Sequence, residues 1–451
     1  MVSLAGNTGL AAREKKRVPV LDGVRGLCAM GVIWTHVAFA TFVRSAAFGP
    51  PRDGIWSILT AGQLSIGPFF IMSGLLLYRP FARATIAGTP LPSLKNFFIR
   101  RATRLLPVFW LMTAVALVLL NWGTLHGAWD VVRPFALMHI YDFHYYPGLD
   151  VAWTVPAETQ FYLALPLLAF LMHRVARGAT DPVQKARRML LVLAVFLPVE
   201  WGWTLYVHIH YKMWPPQYFY PMSIVGLWAL GMALAVWSVR AEVAPDRAPG
   251  IIRLAAKRPN LFWLGALAAY AINCAAPFST PGTADWQSPS SALSSDLALQ
   301  AFSFLLMVPL AVPYTHSKLM KVLLANRPMR YLGRISYGMY IWHFTFIYVV
   351  LRSGSAFGKI IPINLLLGKL AFWQLYLPVL AGTILAASIS FYIFEKPLIG
   401  LGERIILRGK RPALAPATPS TAPVPVAVPV PVEKAVTPET IEEPVAAVPS
   451  G

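Results

Sequence analysis

Apolar residues in this chain gather in long runs rather than in short alternating stretches. Ten such runs stand out, at 27–43, 60–78, 105–122, 158–174, 189–207, 218–238, 261–278, 296–315, 335–351 and 372–394. A helix needs roughly 20 apolar residues to cross the hydrocarbon of a bilayer, and these runs are of that length. The second is interrupted by Gly62, Gly67 and Pro68. A break of that kind is tolerated where the segment is buried in protein or lines a cavity. The pattern predicts an all-α fold, a polytopic membrane helical bundle of about ten transmembrane helices.

The charges test that count. Taken segment by segment, with Arg174 at the end of the fourth run counted in the segment that follows it, alternate segments hold 31 Lys and Arg residues against 7 in the others, and Arg25 at the mouth of the first run is counted apart. Positive residues accumulate on the cytosolic side, so the alternation predicts that both termini are cytosolic. The first run carries His36 and ends with Arg44, and is expected to be an uncleaved span rather than a signal peptide.

Composition agrees: 57% of the residues are hydrophobic and 13% charged, where a soluble domain carries about 25% charged residues. A net charge of +20 would point to nucleic acid in a soluble protein. Here the basic residues lie in loops, which points to topology, anionic lipids or a phosphorylated substrate and to no nucleic acid. Cys28 and Cys274 both lie in apolar runs, so neither a disulfide framework nor a CxxC metal site is expected. The chain divides into a basic cytosolic segment (1–17), a transmembrane domain (18–400) and a Pro-, Ala- and Val-rich tail (401–451). Such a tail cannot bury a core and is expected to be disordered or polyproline-II-like. Nothing after residue 400 reads as a further folded domain, so a stand-alone membrane unit is expected.

A few polar residues interrupt the runs. The first opens LDGVRGLCAMGVIWTHVAF, with Arg25 and His36 eleven residues apart. On a helix that is about 16 Å, with the two side chains projecting within about 20° of each other. An ionisable group at mid-bilayer faces a cavity or the bundle interior; His36 is either a structural hydrogen-bonding residue or a functional one. The third run is entered through KNFFIRRATRLLP, where Arg101 and Arg104 share a helix face. Two guanidinium forks suit a diphosphate, or else anchor the helix to lipid headgroups. The fourth is entered through DVAWTVPAETQFYLALPLL, which puts Glu158 at the apolar boundary near Gln160 and Tyr162. A first-turn acid also interacts favourably with the helix dipole. The ninth, YLGRISYGMYIWHF, places His343 at roughly the depth of His36, and the tenth closes SISFYIFEKPL, with Glu395 and Lys396 as an ion pair or interface anchor.

Together these segments resemble the acyltransferase 3 family of integral-membrane O-acyltransferases. Leu21 to His36 is similar to its LDGxRGxAA element with an Arg-x10-His pairing, and Ser65 to Leu75 (SIGPFFIMSGL) to GxxxFFxxSGF. Arg100 to Trp110 resembles RRxxRxxPxYW, Trp153 to Tyr162 resembles WSLxxExxFY, Gly333 to His343 resembles GxxSYxxYLxH, and Phe391 to Pro397 resembles YxxxExP. The chain departs at Gly67, where the family often has an acid, and in keeping only Glu158 where it often has two acids.

The resemblance implies a bacterial plasma-membrane enzyme with no permanently bound cofactor and no metal. It uses acyl-CoA, most often acetyl-CoA, as donor to a hydroxyl of a glycan or glycolipid. It implies His36 as the essential histidine, Arg25 as its paired arginine, Arg101 and Arg104 as coenzyme A contacts, and Glu158 as an active-site acid. His36 can then take the proton of the attacking hydroxyl, while Glu158 orients His36 or binds sugar hydroxyls. Trp153, Tyr162 and His343 are candidate substrate contacts, with Tyr141, His144, Tyr145 and Tyr146 of the outer loop as sugar platforms. Membrane lipids are further partners. Two other classes compete. A proton-coupled transporter or flippase of envelope precursors would also use intramembrane His and Glu, and a scaffold would use the Pro-rich tail.

Overall fold

Capping residues in the polar loops mark where several helices begin. In the computed structural model the described residues are 19–41, 63–142, 144–211, 215–275, 288–312, 317–361 and 363–408. The basic N-terminal segment, Arg44 and the tail from 409 lie outside them. The helices are α1 (Pro19–Ala40), α2 (Gly67–Ala87), α3 (Leu94–Ala116), α4 (Ala128–Phe135), α5 (Thr154–Ala176), α6 (Pro182–Ala194), α7 (Phe196–His210) and α8 (Val225–Val243). They continue with α9 (Gly250–Lys257), α10 (Pro259–Ala275), α11 (Pro289–Ala311), α12 (Lys318–Leu324), α13 (Arg327–Val350), α14 (Ile363–Leu366), α15 (Phe372–Ser390) and α16 (Lys396–Arg408). No β-strand occurs among the described residues; Gly354 and Lys359 form an isolated bridge. Ser93, Asp181, Ser288 and Asn326 cap α3, α6, α11 and α13 by accepting a bond from a first-turn N–H. Each takes up one of the donors a helix start leaves open.

Among the described residues, seven helical stretches are long and apolar enough to cross a membrane: 19–40, 94–124, 154–176, 182–210, 221–243, 289–311 and 372–408. The chain is a multi-pass membrane protein. The other three expected runs are helical as well. Of these, α2 carries Arg79 and Arg83, α10 spans 17 residues, and α13 opens with Arg327, Arg330 and Arg334.

Two boundaries differ from expectation. The second helix covers 67–87 rather than 60–78, after a 3-10 turn at Gln63–Ile66. Gly67 and Pro68 therefore start the helix instead of breaking it, since proline in the first turn has no intrahelical bond to lose. Residues 401–408, assigned to the tail, continue α16 as helix.

Helix directions follow from the contacts. Near their starts α1 and α13 touch at Asp22 and Gly333, and farther on at His36 and His343, so they run the same way. α2 and α8 are likewise parallel, from Ile71 against Gly231 to Arg79 and Arg83 against Glu242. α13 and α15 are antiparallel: Tyr331 meets Ser388, and Phe346 meets Gly382. α7 and α11 are antiparallel too, with Glu200 on Gln300 and Thr204 on Asp296. Large apolar side chains point outward, including Leu163, Leu167 and Phe170 of α5, Leu264 and Leu267 of α10, and Leu377 and Leu385 of α15. That surface suits lipid, where exposing leucine costs nothing.

Candidate active site

Glycine lets two of the chemistry-bearing helices approach closely. A Cβ on Gly333 would lie 1.7 Å from the Asp22 carbonyl oxygen, and one on Gly26 would lie 2.9 Å from the Gly333 nitrogen. Only glycine allows backbones so near, a common device between membrane helices. With α1 and α13 locked there, His36 and His343 meet three or four turns further along.

The two imidazoles share a hydrogen bond, His36 Nδ1 to His343 Nε2, at 3.0 Å. His343 is fully buried, and its Nδ1 lies 2.7 Å from the Tyr340 carbonyl oxygen. A carbonyl only accepts, so His343 Nδ1 carries the hydrogen and donates it. In the neutral ring Nε2 is then the acceptor, and His36 Nδ1–H must be the donor. The Val32 carbonyl, one turn back on α1, also bonds His36. The result is a lone pair on His36 Nε2, on a half-buried ring braced edge-on by Phe344 at 5.0 Å. Such a nitrogen can accept a proton.

The arginines and the acid form a second polar group. Glu158 Oε1 accepts from Ser73 Oγ at 3.0 Å and from the Tyr162 hydroxyl one turn further along α5. Arg101 stands over the Tyr162 ring, 5.8 Å from its centroid. Arg104 is exposed, and it lies within electrostatic reach of Arg101, Glu158 and Glu395. Arg25 reaches the same region through α2: its Nε donates to Met72 Sδ at 2.9 Å, one residue from Ser73. Tyr340 joins the two groups. It lies within electrostatic reach of Glu158, its ring centroid is 6.0 Å from that of His343, and its hydroxyl donates to the Val151 carbonyl oxygen at 2.8 Å.

Several expectations change here. Glu158 bonds to Ser73 and Tyr162, so it is His343, and not the carboxylate, that orients His36 among the described residues. Glu395 and Lys396 do not pair. A π-turn at Phe391–Glu395 rotates Glu395 into the bundle, where it is 3% exposed and faces Arg104, while Lys396 lies over the Tyr392 ring at 5.7 Å. Insertions of this kind often re-aim side chains at functional sites.

Trp153 packs between Phe70 and Phe219, five residues ahead of Glu158. Tyr146 is no open platform: it is buried, accepting from Arg133 Nε at 3.1 Å and donating to the Asp130 carbonyl oxygen at 2.9 Å. Cys28 is buried as an ordinary packed thiol.

Asp150 went unremarked in the sequence, as one acid in the loop before α5. Its carboxylate accepts from the Tyr145 and Tyr348 hydroxyls, and burial pushes it up to about 6. Only folding brings Tyr348 to it from almost 200 residues away in sequence.

This geometry has a known relation. The profile of the acyltransferase domain, acyltransferase 3, matches residues 18–395. The chain belongs to the acyltransferase 3 family. Among the acyltransferase relatives, YrhL of Bacillus subtilis strain 168 is 26% identical over 417 residues, 88% of this chain and 57% of the relative. The peptidoglycan O-acetyltransferase OatA of Listeria monocytogenes is 24% identical over 409 residues, 85% of this chain and 56% of the relative. The O-acetyltransferase OatA of Staphylococcus aureus is 23% identical over 406 residues, 84% and 57%. The chain thus spans a little over half the length of these relatives. The site residues from Asp22 to Glu395 lie within the matched region.

Proposed function

We propose that this chain is a membrane O-acyltransferase. It moves an acyl group (acetyl, succinyl or similar) from cytosolic acyl-CoA to a hydroxyl of a cell-envelope glycan or glycolipid, with His36 as general base. The observation that carries this reading is the tautomer relay from the Tyr340 carbonyl through His343, which leaves the lone pair on His36 Nε2. All ten apolar helices cross the membrane and both ends face the cytosol. The 31-to-7 division of basic residues and the parallel and antiparallel helix pairs support this.

In this topology Arg25, Arg101 and Arg104 lie toward the cytosol and hold the phosphates of coenzyme A. The pantetheine arm runs inward over the roughly 16 Å that separates Arg25 from His36 along α1. The acceptor enters from the outer side past Trp153. Its hydroxyl attacks the thioester carbonyl carbon as His36 Nε2 takes the proton, the C–S bond breaks, and the proton passes to the departing thiolate. Tyr162 and Ser73 keep the Glu158 carboxylate in the wall of the donor cavity. Transfer is direct, with both substrates present at once. The name of the Listeria monocytogenes relative, a peptidoglycan O-acetyltransferase, supports a peptidoglycan-type acceptor.

The decisive experiment uses purified full-length protein in lipid nanodiscs with radiolabelled acetyl-CoA and isolated cell-wall glycan. The wild type should label the glycan. His36→Ala should abolish labelling while inserting and purifying normally. Full labelling by His36→Ala would remove the proposed base, and no labelling or thioester consumption by the wild type would favour a carrier instead.

A further inference from the structure

A second polar pocket lies beyond the histidine pair, and the acyl-transfer chemistry above does not use it. It is built around Asp150, in the loop that leads into α5. One carboxylate oxygen accepts from the Tyr145 hydroxyl and from the Tyr348 hydroxyl at 3.3 Å, and the other accepts from the Gly148 N–H at 3.0 Å. Gly148 has φ +87, a backbone state that favours glycine, and a Cβ there would meet Leu120 at 2.7 Å and Thr345 at 3.3 Å. Asn121, in the π-turn at Leu117–Asn121, ties the loop down by donating to the Pro147 carbonyl oxygen at 3.0 Å.

Two observations mark this as more than a structural clasp. The Oδ1 of Asn121 and the Oγ1 of Thr345 are buried without a hydrogen-bond partner among the described residues, and both residues border the loop. An unmet polar group in such a place is costly. Asp150 is also only half-buried, and Tyr145 is 45% exposed, so the pocket has an open side. The Tyr145 and Tyr348 hydroxyls also bond each other, so two phenol hydrogens serve three oxygen contacts, and the phenol oxygens keep lone pairs for a visiting hydroxyl.

Its place is set by α13. Tyr348 follows His343 by five residues, about 7.5 Å along the helix axis, away from the arginine-bearing end of the bundle. A ligand held at Asp150 therefore sits at a level about one and a half helical turns beyond the imidazole pair. One carboxylate with phenols donating to it suits hydroxyl groups better than a metal ion. No group of three His, Cys, Asp or Glu side chains able to hold a metal occurs among the described residues.

We propose that Asp150 and Tyr145, backed by Thr345 and Asn121, form the subsite that grips the saccharide acceptor through its hydroxyls. The inference rests on the acyl-transfer reading and adds where the acceptor sits.

The test measures binding of N-acetylchitotetraose and, separately, of acetyl-CoA to full-length wild type, Asp150→Asn and Tyr145→Phe in nanodiscs. Losing bonds to a charged acceptor should weaken the saccharide by about tenfold or more in Asp150→Asn, and removing one exposed hydroxyl by about threefold in Tyr145→Phe. Acetyl-CoA affinity should stay within about twofold in both, which also shows that the variants are folded. Equal saccharide affinity in all three proteins overturns the subsite. So does a wild type that fails to bind the saccharide at millimolar concentration, or a parallel loss of acetyl-CoA binding in both variants. A wild type that binds the saccharide but neither binds nor consumes acetyl-CoA overturns the acyl-transfer reading and leaves the saccharide site standing.

Discussion

Replacing His343 with phenylalanine tests the link between the two histidines and the proposed base. Phenylalanine keeps an aromatic ring of similar bulk in the fully buried site, so the contact of α1 with α13 should persist. What disappears is the acceptor for His36 Nδ1–H at 3.0 Å. A typical net hydrogen bond contributes about 0.5–1.5 kcal/mol, and each 1.36 kcal/mol is about tenfold in rate. The Val32 carbonyl, which also bonds His36, remains and keeps part of the ring's orientation. His343→Phe should therefore lower kcat by about two- to tenfold, far less than the roughly 100- to 10,000-fold expected for removing a general base outright. The assay is single-turnover transfer from saturating acetyl-CoA, with acetyl-CoA Kd measured alongside and expected to be unchanged. His343→Gln, whose side-chain carbonyl can accept from His36, should recover most of the loss. A kcat within twofold of wild type would refute the relay. A loss as deep as that of His36→Ala, without rescue by His343→Gln, would show that His343 does more than orient its neighbour.

The remaining predictions touch other parts of the same architecture. Gly333→Ala drives a Cβ to 1.7 Å from the Asp22 carbonyl and must push α1 from α13; overpacking of this kind costs about 1–3 kcal/mol, so thermal unfolding in detergent should shift down and activity should fall with it. Alanine at both Arg101 and Arg104 should weaken acetyl-CoA binding by about tenfold or more through loss of charge-assisted bonds, whereas an unchanged Kd would make the pair a lipid anchor. Asp150 holds its proton up to about 6 when folded and to the ordinary carboxylate range when unfolded. The native state thus binds more protons between those limits, and Asp150 makes stability fall as pH rises through that window. Comparing unfolding of wild type and Asp150→Asn at about pH 4.5 and about pH 7 checks the sign: the variant should lose that part of the decline.

Much of the molecule is determined by local pattern. The apolar runs require helices because backbone groups in lipid must bond within their own segment, and basic loops bias the direction of each. Arg25 and His36 share one helix, so their spacing follows from helical rise alone. The depth of His343 was legible for the same reason. What lies between helices was not. That His36 is oriented by His343 rather than Glu158 depends on a glycine contact at Gly333 that sets the sliding of α1 against α13. Glu395 reads as a partner for Lys396 until one extra residue in a helical turn swings it inward to Arg104. Asp150 becomes a site only when Tyr348 folds over it. Periodicity and charge act over a few residues and a nearby membrane surface, whereas the partner of a buried polar group is chosen by how close two backbones can come, and that distance exists only in the packed bundle.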